Sequence, residues 1–181
     1  MTLAGDELRV RSATLADLPA VTETIALAFH DDPTWSWAFP DPQQRQAQYA
    51  AFWRFMIAGA LRYPWVLMTD RAEAVSVWIP PGGTEIAEED EPRMEQLLVE
   101  LAGPRAGEVI DLLARFDAAH PHDEPHYYLS LLGTHPVCAG RGLGMALLAE
   151  NLTRIDSEHM PAYLESSNPG KIRMPSPRRR C

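Results

Sequence analysis

Lysine is almost missing from this sequence. Of its 181 residues only Lys171 is one, and the remaining bases are arginines. Acidic residues outnumber basic ones by 25 to 16, giving a net charge of −9. All the acidic residues precede Lys171, which with Arg173, Arg178, Arg179 and Arg180 forms a short basic end. An acidic body gives no footing for a nucleic-acid partner and favours a cationic one. Cysteine is scarce as well. Cys138 and Cys181 cannot build a disulfide framework, and a reducing compartment is the better expectation. No apolar run approaches the roughly 18 residues that span a bilayer, so no membrane partner is expected. The first residues carry Asp6 and Glu7 and lack the apolar core of a signal peptide, which points to the cytoplasm. A nucleoside-triphosphate loop is also excluded, because no G-K-[ST] occurs.

What is present suits one globular domain. Hydrophobic residues make up 46% and aromatics 8%, enough for a core without disulfides. The domain is expected over residues 1–170, with 171–181 an unstructured Pro/Arg tail. Leu8 to Ala13 alternates as a strand, and Thr14 to Asp17 resembles a capping box before a helix with Leu18, Val21, Ile25 and Phe29 on one face. Asp31-Asp32-Pro33 stops it, and Trp35, Trp37 and Phe39 read as a proline-punctuated loop. A strong amphipathic helix runs from Tyr49 to Leu61. Trp65–Thr69 and Ala74–Ile79 form a hairpin. The acidic run Glu85 to Glu91 reads as a solvated loop, followed by two helices split at Gly103-Pro104. A strand from Tyr127, a glycine turn, a helix over Met145 to Ile155 and a strand over Ala162 to Glu165 complete an α/β or α+β order with a mixed sheet.

The glycine turn carries the chemistry. In Gly140-Arg141-Gly142-Leu143-Gly144 the backbone can turn tightly and approach a ligand, and the next helix begins with unpaired N–H groups at its positive end. That suits a pyrophosphate, although a plain strand-to-helix connection is the simpler alternative. The spacing is not the G-x-G-x-x-G of dinucleotide folds.

The stretch Thr134 to Gly144 resembles the acetyl-CoA signature of the GNAT superfamily of N-acetyltransferases, Gln/Arg-x-x-Gly-x-Gly/Ala. It matches at Gly142 and Gly144, with Pro136 and Arg141 where the family has proline and a base, and departs at Ala139. The order of elements from Leu8 to Asn168 is similar too. The tract His122 to Leu132 and the strand at Val77-Trp78 resemble a branch of actinobacterial, puromycin N-acetyltransferase-like enzymes. The resemblance implies a GNAT-type acyl-CoA N-acyltransferase fold, a mixed and mostly antiparallel sheet flanked by helices. Acetyl-CoA would be the co-substrate, with no metal. Its pyrophosphate would rest on backbone N–H groups of Ala139, Gly140, Arg141, Gly142, Leu143, Gly144 and Met145. Its pantetheine arm would run along Leu132, Gly133 and Thr134, with Asn168 completing the site. The acceptor would be a primary amine of a small molecule, attacking the thioester directly.

Glu165 and His126 are the candidate proton acceptors. His126, Tyr128 and Ser130 alternate along the strand, and imidazole titrates near neutrality. Phe29, Trp35, Trp37 and Tyr128 are the candidate acceptor-binding residues, since aromatic faces attract cations. The loop His120 to His126 has metal-ligand residue types, but its prolines make a polar loop the better reading. Cys138 is expected to be incidental.

After Asn168 the resemblance stops. The family continues with a helix carrying a proton-donating Tyr, whereas this sequence places Pro175 there and Arg179-Arg180 where Gly-Phe is expected. Two prolines bar a helix. The usual last helix and strands are therefore expected to be absent, as from a shifted frame, an added tail or a truncation. The strand at Ala162 would become an edge, in a monomer or a homodimer whose partner covers the gap. A catalytically impaired CoA-binding scaffold is the alternative function.

Overall fold

One extra residue in a central strand organises this structure. The computed structural model describes residues 8–121 and 123–167. His122, Asn168, the expected tail and the expected loss of the final elements all lie outside the described residues.

The chain forms β1 (Val10–Ser12), α1 (Leu18–Ala28), α2 (Pro33–Ala38), α3 (Arg45–Ala60), β2 (Val66–Thr69) and β3 (Ala74–Ile79). It continues through α4 (Glu91–Ala102), α5 (Ala106–Ala119), β4 (Tyr127–Thr134), α6 (Leu143–Ser157) and β5 (Ala162–Leu164). The strands lie in sequence order in one sheet, antiparallel from β1 to β4 and parallel between β4 and β5.

Local chemistry sets the boundaries. Ahead of α1, Asp17 accepts from the Thr14 N–H at 2.9 Å, from the Thr14 hydroxyl at 2.8 Å and from Arg11 at 2.6 Å. The Arg11 hydrogen bond, then those of Thr14, hold the Asp17 carboxyl well below the usual carboxylate range. In α3 the buried residues Tyr49, Phe52, Trp53, Met56, Ile57 and Ala60 recur at three- and four-residue steps, so one face enters the core. Trp35 to Ala38 corrects the expectation of a loop. Asp32 caps a short helix there, accepting from Thr34 N–H at 3.0 Å and Trp35 N–H at 3.3 Å, with Pro33 at the first helical position.

Helices cover both faces of the sheet. Val66, Met68, Val75, Val77 and Ile79 pack with α1 and α3 on one face. Leu67, Ala74 and Trp78 meet α6 on the other, through Leu147, Leu148 and Ile155. A buried polar link joins α6 to β3. Asn151 Oδ1 accepts from Ser76 Oγ at 2.6 Å and from Trp78 Nε1 at 2.8 Å.

Strand β4 changes faces midway. Val77 pairs with Leu131 and Trp78 with Leu129, so Ser130 has no opposite residue on β3. This is a β-bulge. Before it, Tyr127 and Leu129 point into the α6 side; after it, Leu131 points to the α1 side and Leu132 back to the α6 side. Gly133 then meets α1 closely, because a Cβ there would lie 2.9 Å from Ile25 Cδ1 and 3.0 Å from Ala28 Cβ. Replacing Gly133 with alanine is therefore expected to destabilise the fold by about 1–3 kcal/mol through overpacking. A lowered urea midpoint with an unchanged slope checks it; an unchanged midpoint would contradict the packing.

Candidate active site

Beyond the bulge, β4 loses its outer neighbour. The parallel pairing covers Tyr127–Ala162, Tyr128–Tyr163 and Leu129–Leu164 and then ends, while among the described residues β4 continues to Thr134 bonded to β3 alone. Backbone groups on the outer edge of β4 past Leu129 thus face a cleft rather than a strand.

The glycine turn closes one end of that cleft. A single 3-10 turn, Pro136–Cys138, follows β4, and His135 Nδ1 accepts from Val137 N–H at 3.4 Å. Gly140 and Gly142 take φ of 77° and 78°, and nothing lies within 4 Å of where their Cβ atoms would be. At Gly142 this left-handed conformation caps α6, and only glycine adopts it without strain. The first long-range helical bond runs from Ala146 N–H to Gly142 O at 2.9 Å. The N–H groups of Leu143, Gly144 and Met145 precede it and open onto the turn at the positive end of a 15-residue helix. Cys138 is buried beneath, 3.6 Å from an Arg141 guanidinium nitrogen.

A cavity of about 1100 Å³ extends from Leu132 and Met145 toward α4 and α5. Phe29, Trp35 and Tyr128 line it. So do Asp32, Glu85, Glu95, Asp117 and Glu165, and among the described residues no lysine or arginine does. Trp37 corrects the expectation that it walls this space. It lies outside the cavity, 41% exposed, with the Arg105 guanidinium 4.6 Å over its ring.

The two candidate proton acceptors reach the cavity by different routes. Glu165 follows β5 and accepts from the Tyr163 hydroxyl at 3.0 Å. Nearby, Ser167 donates to Asp32 Oδ2 at 2.7 Å, tying the end of β5 to the start of α2. His126 Nδ1 lies 2.7 Å from the Glu124 carbonyl and its Nε2 lies 2.9 Å from His120 Nε2. A carbonyl only accepts, so Nδ1 carries a hydrogen, and in the neutral pair His120 donates to His126. His120 also meets Tyr128 and Tyr163 edge-on, with ring centroids 4.6 Å and 5.2 Å away.

Two groups that sequence reasoning passed over sit at the bulge. Glu85 turns inward from the acidic run, and Ser130 Oγ donates to its Oε1. The run was expected to be wholly solvated; Glu88 and Glu89 are exposed, but Glu85 corrects that reading. Burial pushes the Glu85 carboxyl above its usual value, the Ser130 hydrogen bond opposes this, and Glu165 and Asp117 add to the rise. Burial likewise raises the Tyr128 phenol, reinforced by Glu85, Glu165 and Tyr163. No local signal separates Glu85 from its acidic neighbours. Asn168 falls outside the described residues. No group of three potential metal ligands occurs among the described residues.

The phenols give a direct check. Burial raises Tyr128, whereas at Tyr63 the hydrogen bond from Thr84 and the neighbouring Arg62 outweigh burial and lower it. In an alkaline absorbance titration Tyr63→Phe should remove part of the earliest tyrosinate rise, and Tyr128→Phe should leave that rise intact. The reverse pattern would contradict the burial of Tyr128.

No family model matches the sequence. Among solved structures, the fold is similar to the histone acetyltransferase HPA2 and related acetyltransferase of Corynebacterium glutamicum. That match has a TM-score of 0.63 and 28% identity over 89% of this chain and 77% of the other. An agmatine N-acetyltransferase matches with TM-score 0.55 and 17% identity, over 88% and 75% of the two chains. A polyamine N-acetyltransferase of Drosophila melanogaster matches with TM-score 0.53 and 17% identity, over 90% and 77%. With its mixed five-stranded sheet flanked by helices, this chain has the GNAT acetyltransferase fold.

Proposed function

We propose that this protein transfers the acetyl group of acetyl-CoA to a primary amine of a small, positively charged molecule. The observation that carries the reading is the parting of β4 and β5, with an open helix N-terminus at one end and an acidic cavity at the other. The turn fits the donor's pyrophosphate, because its glycines leave the space above them empty and three helical N–H groups have no partner within α6. Ala139, Arg141 and Met145 border that cradle. The free edge of Leu132, Gly133 and Thr134 suits the amide-bearing arm, which can add to a sheet as a strand does.

The cavity selects the acceptor. Its carboxylates, with no lysine or arginine beside them among the described residues, attract an ammonium and disfavour an anion, while Phe29, Trp35 and Tyr128 offer apolar and aromatic contact. The agmatine and polyamine acetyltransferases among the structural neighbours accord with a cationic amine. Transfer is direct. The amine nitrogen attacks the thioester carbon and the C–S bond breaks; of the two protons the nitrogen loses, one passes to the thiolate by way of Glu165 or the His126–His120 pair and the other leaves to solvent.

Thiol release from acetyl-CoA, followed with a panel of mono- and diamines, tests the reading. We expect release with at least one cationic amine and stabilisation of the fold by CoA. Stabilisation without any release would mark the impaired scaffold instead. A phenylalanine at Ala139 should leave CoA affinity within about threefold, less than 1 kcal/mol, because backbone N–H groups rather than that side chain hold the phosphates. A larger loss would place the side chain itself in the site.

A further inference from the structure

The segment after β3 is held with unusual care for an acidic loop. Arg62, just past α3, donates to the Gly59 carbonyl at 2.7 Å, the Glu85 carbonyl at 3.3 Å, the Thr84 hydroxyl at 2.8 Å and the Thr84 carbonyl. Thr84 N–H donates to the Tyr63 hydroxyl at 3.1 Å, and the Thr84 hydroxyl donates to the Ile86 carbonyl at 2.7 Å. Gly59 lets the loop press in, since a Cβ there would lie 2.9 Å from the Glu85 carbonyl oxygen. The Glu85 backbone is thus gripped from α3, and its side chain is aimed at β4.

It arrives at Ser130, the bulge residue and the first position past the β4–β5 pairing. Ser130 engages Oε1, and among the described residues Oε2 has no hydrogen-bond partner. Among the described residues no lysine or arginine lines the cavity to balance the carboxylate. Its ionisable surroundings are Tyr128 from β4, Glu165 beyond β5, Asp117 and His120 from the end of α5, His126 before β4, and Glu91 and Glu95 from α4. A half-buried carboxylate among like charges favours a cation beside it.

We infer that Glu85 is a catalytic residue: its Oε2 receives the ammonium of the acceptor at the parting of β4 and β5 and takes the first of its protons. This rests on the acetyl-transfer reading above and assigns one step within it. The nitrogen of R–NH3⁺ gives one proton to Glu85, and its freed lone pair forms the N–C bond to the thioester carbon. The C–S bond breaks with its electrons on sulfur. A second nitrogen proton leaves by way of Glu165 or His126 and ends on the thiolate, and Glu85 returns its proton to solvent. Amide, CoA thiol and one proton result. Burial, by raising the Glu85 carboxyl, brings it nearer to the amine and favours this first transfer. Ser130 limits the rise, keeping a usable carboxylate population.

Three proteins test the assignment: wild type, Glu85→Gln and Ser130→Ala, each assayed for thiol release with agmatine and putrescine across pH. Glu85→Gln should lower kcat/KM by about 10²–10⁴-fold and abolish the acid limb of the profile, with stabilisation by CoA unchanged. Ser130→Ala removes a donor that favours the charged carboxylate, so its acid limb should move to higher pH. A Glu85→Gln enzyme within about threefold of wild type, with its acid limb intact, would overturn the assignment. So would an unmoved limb in Ser130→Ala, which also decides the matter if Glu85→Gln does not fold. If wild type releases no thiol, acetyl transfer itself fails, and calorimetry still reads the carboxylate. Agmatine should then bind the CoA complex of wild type at least about tenfold more tightly than that of Glu85→Gln, and equal affinities or no binding would count against Glu85.

Discussion

The bulge at Ser130 is the constraint on which the rest of the structure depends. A strand in regular pairing keeps every second side chain on the same face throughout its length. With one residue added, β4 buries Tyr127 and Leu129 under α6 and then Leu131 under α1. The same point is where β5 parts company. One irregularity therefore re-aims the side chains, frees a row of backbone groups, and presents Ser130 to Glu85. None of the three would follow from a straight β4.

Around that point charge is distributed one-sidedly. Glu85, Asp117 and Glu165 face a shared cavity, where Glu165 and Asp117 raise the cost of ionising Glu85. The arginine nearest the loop spends its guanidinium on main-chain carbonyls. The His120–His126 contact adds a pair of imidazoles that share one hydrogen between their Nε2 atoms. A positive charge at that cavity would be drawn to these carboxylates together. Aromatic rings supply the remaining surface, so shape and sign act together on the same ligand.

Much of the fold was legible where periodicity is strong and local. The β2–β3 hairpin, the buried face of α3 and the glycine turn before α6 needed only spacing and turn chemistry. Helix α2 was misread because Asp32-Pro33 looks like a stop, although the same pair is a cap and first residue. Glu85 was illegible for a different reason. Its neighbours share its chemistry, and what turns it inward is Arg62 and Tyr63, supplied by another element. The bulge left no trace in composition, since Ser130 sits between two leucines with no glycine or proline beside it. The His120–His126 contact required the loop to fold back before two rings six positions apart could meet.

Asn151 gives α6 a further property. Its single oxygen accepts from both Ser76 and Trp78, deep in the face where helix meets sheet. A slide of the helix along its axis would break both bonds inside the core, a penalty that apolar packing alone does not impose. Asn151 lies nine residues from the cap at Gly142, about 13 Å of helix at 1.5 Å per residue. The helix thus serves as a gauge block. It fixes how far the capped end of α6 stands from the middle of β3, so the glycine turn keeps one position along the sheet.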